Sequence, residues 1–397
     1  PPNTSYIFIA IIIVLMPVFL IMKQPDLGTA LLIGMSGAIA ILLVLCSHST
    51  LLIAPNSSSS IVFAIKFFGT IGVDVFFVLS GFLIGAILLK QIELEQTTLK
   101  NIFHFWVRRW FRTLPNYYLI LIINIGLAYF LFKSTNINFL NYFLFLQNFK
   151  TAQPDFFTES WSLSIEEFAY VFMPALMLLF VVLKRKITAK LFLQLSLVCI
   201  LIITLNRIYF DINLSETTPE WSASLRKVVI FRLDSIYYGF IAAYIFKYMP
   251  SNWEKYRYMS AFAGGLLFLL MHFYIFYTGI KPNIEYTFFN VFYLPLLSLS
   301  ILLLFPVLCQ IKIKGFLNTI FTKISLWSYS LYLVNYSIVL LTMQFFIKID
   351  DLSLITNVFC LLVFWIISFI LAFLQYTFYE IPFTKLRDSK FIRKRFE

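Results

Sequence analysis

Charged residues are scarce in this sequence. Asp, Glu, Lys and Arg make up 13% of 397 residues, against 60% hydrophobic and 19% aromatic, with a mean hydropathy of +0.87. So little polar surface cannot coat a water-soluble fold, which excludes an ordinary soluble enzyme and leaves lipid as the solvent. Acidic groups are scarcer still, 19 against 31 Lys and Arg, for a net charge of +12. The basic residues fall in short loops between apolar runs, the positive-inside pattern of a membrane protein, so no nucleic-acid partner is expected. Cysteine is rare as well. Cys46, Cys199, Cys309 and Cys360 sit in or beside apolar runs, with neither paired spacing nor nearby histidines, so neither a disulfide nor a metal site is expected. There is also no low-complexity linker and no internal repeat of the kind that marks inverted-repeat transporters.

What is present is a series of apolar runs. A bilayer core of roughly 30 Å needs about 20 apolar residues per helix. Eleven runs are candidates, near 5–22, 29–47, 67–89, 115–132, 161–183, 190–209, 228–248, 260–280, 286–309, 325–347 and 354–378. The pattern predicts an all-α, polytopic transmembrane bundle embedded in the lipid bilayer. The loop charges give it a direction. Arg108, Arg109 and Arg112, then Lys184, Arg185, Lys186 and Lys190, then Lys247, Lys255 and Arg257, then Lys312, Lys314 and Lys323 occupy every second loop. Those loops and the basic tail ending at Arg395 are expected in the cytoplasm, and the loops holding Ser57, Asp155, Asp211 and Asp350 outside. The first run has no basic region before it and no small-residue cleavage site after it. It does not read as a signal peptide, and the native start is expected upstream of Pro1.

Ionisable groups within membrane helices are costly and are functional candidates by default. His48 closes an apolar run, where an imidazole can take a proton from a hydroxyl; a wet interfacial histidine with no task is the plain alternative. Asp74, in Gly72-Val-Asp-Val-Phe-Phe-Val-Leu-Ser-Gly-Phe-Leu83, shares a helical face with Val78 and Gly81. It either orients and charge-stabilises His48 or is a structural carboxylate. Ser80 is a potential nucleophile or, with Gly81, a small-residue packing site. Arg108, Arg109 and Arg112 precede Pro115, where a membrane helix is predicted to begin. Residues 108 and 112 share a face, which suits a phosphate-rich ligand as well as ordinary cytoplasmic anchoring. Ser162, Glu166 and Tyr170 recur every four residues and form a polar stripe on one helix. Ser164 and Glu167 have capping-box spacing, the competing explanation for part of that cluster.

Taken in order, His48, Gly72–Leu83, Arg108-Arg-Trp-Phe-Arg-Thr-Leu-Pro115 and Trp161-Ser-Leu-Ser-Ile-Glu-Glu-Phe-Ala-Tyr170 resemble the acyltransferase family 3 of bacterial membrane O-acyltransferases, from about residue 39 to the C-terminus. The resemblance implies about ten helices in the bacterial inner (cytoplasmic) membrane. It implies transfer of an acyl group, usually acetyl, to a hydroxyl of an envelope glycan or lipid-linked sugar such as O-antigen, capsule, peptidoglycan or exported polysaccharide. Acetyl-CoA would be a cytoplasmic co-substrate, with no bound cofactor. His48 would be the base and Asp74 its supporting acid. Arg108, Arg109 and Arg112 would receive the CoA phosphates, while Glu166 and Ser80 would line the pocket beside Ser162 and Tyr170.

The family pattern also has Arg or Lys eleven positions before the histidine, where this chain has Gly37. The segment Met16–Leu31, with Asp26, resembles a fragment of the shape, elongation, division and sporulation family of peptidoglycan glycosyltransferases. Residues 1–38 are therefore read as a polymerase-like fragment contributing one extra helix and the start of a second, and 39–397 as the acyltransferase domain. The polymerase pattern would place Gln24-Pro-Asp26 outside, whereas the downstream charges place Lys23 in the cytoplasm and the N-terminus outside. Two alternatives stand beside the enzyme: a transporter of a polar substrate, and a fusion disabled by the missing cation.

Overall fold

A computed structural model of the chain describes residues 29–387, apart from 55–56, 58, 132, 134–136, 184–185, 214–219, 281, 283–285, 311–314 and 348–353. The predicted first helix and Asp26 of the polymerase-like segment lie outside the described residues. The described residues contain no strand, and nine of their helices are long and apolar enough to cross a bilayer. The fold is all-α and the chain is a multi-pass membrane protein.

The chain divides into two compact units. One comprises residues up to Phe76 with Phe305–Phe373, the other Phe77–Leu304 with the segment from Leu374 onward. In the first unit, α1 (Thr29–Ile53) and the start of α2 (Ser60–Glu93) pack with α11 (Phe316–Val334), α12 (Leu341–Phe346) and α13 (Leu354–Gln375). The α1 helix lies along α11, where Ala38 meets Phe321 and the neighbouring apolar side chains Ile39, Leu42, Leu317 and Ile324. A small residue lets the helices close where no hydrophobic effect drives them together.

The second unit continues from the rest of α2 through α3 (Leu99–Phe130), the short α4 (Phe139–Phe143), α5 (Ser160–Val182), α6 (Ala189–Ile212), α7 (Asp234–Tyr248), α8 (Pro250–Lys255), α9 (Arg257–Thr278) and most of α10 (Leu294–Leu308). It ends with α14 (Ile381–Arg387). The α3 helix begins sixteen residues before the predicted position 115. Thr98 caps it by accepting from the Asn101 amide at 3.3 Å, and Pro115 lies inside it. Charges at 108, 109 and 112 dilute a hydropathy window without interrupting the helix, so the basic cluster is helical rather than a loop ahead of it. A proline within a membrane helix is tolerated where neighbours re-satisfy the backbone. The α7 helix is shorter than the predicted run 228–248. Its first turn is replaced by a 3-10 turn at Val229–Phe231, which follows a π turn at Ser222–Arg226, leaving 15 residues, roughly 22 Å at 1.5 Å per residue.

Loop contacts within this unit follow the alternation read from charge. The α4–α5 and α6–α7 connections are tied together: the Val229 amide donates to the Asn148 carbonyl at 3.0 Å, and Asn148 Nδ2 to the Lys227 carbonyl at 2.6 Å. The connections expected on the other side meet through Lys186–Glu95 at 3.0 Å and Lys247–Glu93 at 2.6 Å. These surface pairs contribute little energy, but they place alternate loops together.

Two contacts hold α7 in place. A Cβ built on Gly81 would lie 1.9 Å from the Ile236 carbonyl oxygen, and one on Gly239 would lie 2.2 Å from that of Val78. The α2 and α7 backbones therefore touch, which only glycine permits. Beside them Arg207 and Asp234 form an ion pair at 2.7 Å with both side chains fully buried, and Arg207 Nη1 also donates to the Phe231 carbonyl at 3.1 Å. Asp234 opens α7, where the helix dipole favours an anion.

Alanine at Gly81 or Gly239 is expected to cost about 1–3 kcal/mol or more by overpacking, seen as a lowered unfolding midpoint in detergent. Gly126→Ala and Gly265→Ala, in helices whose added Cβ would meet nothing within 4 Å, should be neutral or slightly stabilising. Asp234→Ala strands a buried guanidinium and should lose roughly 3–5 kcal/mol, while Arg207→Met with Asp234→Leu should recover most of that loss. Chemical denaturation of the purified variants checks the order.

Candidate functional site

The candidate residues fall in both units. In the first, α1 brings His48 against the start of a π turn, Asn335–Leu340, that follows α11. His48 Nδ1 lies 2.6 Å from Asn335 Oδ1, and the Tyr336 ring stands 4.8 Å away at a tilt of 55°. The imidazole is half-buried, whereas Asn335 is fully buried. Neighbouring bonds hold α1 at this point. Ser47 Oγ donates to the Lys66 carbonyl at 2.9 Å, Ser49 Oγ donates to the Leu45 carbonyl at 2.7 Å, and Trp365 Nε1 of α13 donates to Ser49 Oγ at 3.0 Å. Asp74 lies on α2 in this same unit and is fully buried.

Gly37 precedes His48 by eleven residues, close to three full turns, so both lie on one face of α1. A Cβ at 37 would stand 3.0 Å from Ser325 Oγ and 3.8 Å from Ser328 Oγ of α11. The position of the missing family cation therefore looks at the same neighbouring helix that leads to Asn335.

In the second unit the polar stripe of α5 meets the basic cluster of α3. Arg109 Nη2 donates to Tyr170 OH at 2.6 Å, Tyr170 OH donates to Glu166 Oε2 at 2.8 Å, and Ser80 Oγ is in hydrogen-bond contact with the same phenol. The phenolic oxygen thus accepts from Arg109 and Ser80 while its proton goes to Glu166, which uses its full hydrogen-bonding capacity. The Arg109 guanidinium also lies 4.3 Å from the Tyr170 ring centroid. Trp106 Nε1 donates to the Tyr170 carbonyl at 3.0 Å and fixes α3 against α5. A cation, a phenol and a carboxylate in one chain can hold an anionic group or pass a proton along it.

The stripe is only partly a unit. Ser162, though in register with Glu166 and Tyr170, donates to the Glu159 carbonyl of its own helix at 3.4 Å. The capping-box reading of Ser164 and Glu167 fails, because α5 starts at Ser160 and both are interior. Ser164 Oγ accepts from Gln147 at 2.7 Å, and Glu167 Oε1 accepts from Thr113 Oγ1 of α3 at 2.8 Å. Arg108 and Arg112, unlike Arg109, are exposed. On the end of the unit that carries the α4–α5 and α6–α7 loops, the Arg226 guanidinium lies 4.7 Å from the Trp161 ring centroid. Burial, with Arg226 beside it, pulls the Lys227 amine down to about 8.

Several polar residues of these networks escape a reading of the sequence. Asn335 and Asn116, the latter donating to Glu380 Oε2 at 2.9 Å, are uncharged and lie within or beside apolar runs. Arg207, Arg232 and Asp234 are charged within such runs and carried a readable signal. Arg232 is fully buried, with Phe77 5.5 Å from its guanidinium and Ser235 hydrogen-bonded to it. Among the described residues, no three His, Cys, Asp or Glu side chains gather in a way that could hold a metal ion.

Known proteins share this sequence pattern. The Putative O-acetyltransferase of Staphylococcus aureus strain COL is 27% identical over 350 residues, covering 80% of this chain and 53% of its own length, and its counterpart in strain MSSA476 matches with the same figures. The Peptidoglycan O-acetyltransferase OatA of Listeria monocytogenes serovar 1/2a is 33% identical over 127 residues, 28% of this chain and 20% of its own length. The chain spans about half the length of the staphylococcal relatives. No solved structure matches it. The acyltransferase-3 family model, described as an acyltransferase domain, matches residues 38–376, and the chain belongs to that family.

Proposed function

We propose that the chain transfers an acyl group, acetyl being the leading candidate, from acyl-CoA to a hydroxyl of a cell-envelope glycan. Its place is the bacterial cytoplasmic membrane, with the basic loops and C-terminus inside. The observation that carries this reading is the acyltransferase match over residues 38–376, which contains every candidate residue except Gly37. The names of the relatives support O-acetylation, and one of them supports peptidoglycan as acceptor; O-antigen, capsule and exported polysaccharide share the same hydroxyl chemistry.

In this mechanism His48 is the general base. It takes the proton of the acceptor hydroxyl as the oxygen attacks the thioester carbonyl; the carbon–sulfur bond then breaks, and the proton passes to the departing CoA thiolate. Asp74 supports the charge that develops on the imidazole. Arg108, Arg109 and Arg112 receive the phosphates of the donor, for which a planar guanidinium is suited. Glu166, Ser80 and Tyr170 hold Arg109 in the pose that its hydrogen bonds define, and Ser162 lines the same helix.

Gly37 favours a second reading, an acyltransferase disabled at the donor step. An arginine there would project toward Ser325 and Ser328 on the face that carries His48.

Membranes containing the chain, supplied with acetyl-CoA labelled in the acetyl group and with envelope glycans, are expected to give labelled glycan. His48→Ala should lower the rate by about a hundredfold or more. A rate unchanged in that variant removes His48 from the mechanism. Arg112→Ala should raise KM for acetyl-CoA about tenfold with little change in kcat, the loss of one charge-assisted contact. If the parent is inactive and Gly37→Arg is active, the second reading holds.

A further inference from the structure

We propose that Asn335 is the positioning residue for His48, fixing its neutral tautomer with the proton on Nδ1 so that Nε2 presents the lone pair. The proposal rests on the reading of His48 as the base and deepens it. The argument starts from the amide, whose two ends are set by the helix around it. Asn335 Nδ2 donates to the Leu331 carbonyl at 2.8 Å and to the Tyr332 carbonyl at 2.9 Å. Rotating the amide by half a turn would set its oxygen against two carbonyl oxygens, so Oδ1 must be the end that faces His48.

At 2.6 Å from an oxygen with no proton to give, Nδ1 must be the donor. A neutral imidazole carries one proton, so Nε2 is then an acceptor. The Tyr336 ring against the imidazole limits its rotation, and the fully buried Asn335 keeps water from competing for Nδ1.

The helix defect explains how this is built. Here the π turn Asn335–Leu340 begins at the residue itself, after α11 has ended at Val334. Such single-turn bulges recur at functional sites. Leu331 and Tyr332 supply the acceptors, and both protons of the amide are consumed in aiming its oxygen. The charged side chains among the described residues of this unit are Lys66, Asp74 and Lys323. At Nδ1 it is a neutral amide that orients the ring.

The chain has three histidines, His48, His104 and His272, so nitrogen NMR of histidine-labelled full-length protein in lipid, with His48→Ala to assign the signal, reads the tautomer directly. The expected result is His48 protonated at Nδ1 in the parent. In Asn335→Leu, which keeps the volume but removes the acceptor, a signal shared between tautomers is expected. The same variant should lower kcat about a hundredfold, with KM for both substrates within about twofold. A parent His48 protonated at Nε2, or an Asn335→Leu protein with unchanged tautomer and kcat, overturns the proposal. If Nδ1 carries the proton but His48→Ala turns over like the parent, the pairing survives as structure. In that case the base assignment, and with it the positioning role, falls.

Discussion

Inside a bilayer a polar group has no water to bond with, and this constraint organises the described structure. Each buried polar side chain must find a fixed partner or cost several kcal/mol. The result is a set of local networks. Arg207 answers Asp234, Thr113 answers Glu167, Asn116 answers Glu380, and Tyr170 joins Arg109, Ser80 and Glu166. Each network crosses from one helix to another, so the bonds that satisfy the polar groups also set the helix register. Apolar packing cannot do this alone, because lipid tails compete with it on equal terms.

The same constraint separates structural from chemical polarity. Arg207 and Asp234 neutralise one another and are sealed; their arrangement holds α6 and α7 together. His48 differs, because its ring remains half-buried. Arg108 and Arg112 also differ, being exposed on a helix long and apolar enough to span. Basic residues at the end of such a helix are suited to an anionic donor arriving from the aqueous side, and a half-buried imidazole is suited to a hydroxyl.

Much of the helical layout was legible in the sequence, since uninterrupted apolar length is a direct requirement of the bilayer. The two large boundary errors have one cause. Hydropathy measures polarity and not backbone conformation, so it reads the Arg-rich start of α3 as a loop and the 3-10 turn at Val229–Phe231 as helix. Within a helix, spacing was informative: the four-residue interval between Glu166 and Tyr170 became a hydrogen bond. It was not sufficient, since Ser162, in the same register, bonds to its own backbone. Partners from distant segments were not legible. Asn335 is separated from His48 by 287 positions, and an asparagine in an apolar run gives no hint of which helix it will meet.

The proposed transfer runs from acyl-CoA in the cytoplasm to a hydroxyl of an envelope glycan, and so joins a donor on one side of the membrane to an acceptor on the other. Sealed vesicles of defined orientation test this most directly. Acetyl-labelled acetyl-CoA is added outside inside-out vesicles, where the cytoplasmic face is exposed, and outside right-side-out vesicles, where it is not. The account predicts label on glycan enclosed in the inside-out vesicles and none in the right-side-out preparation until it is permeabilised. Label appearing on external glycan in intact right-side-out vesicles, with donor supplied only from that side, would contradict it.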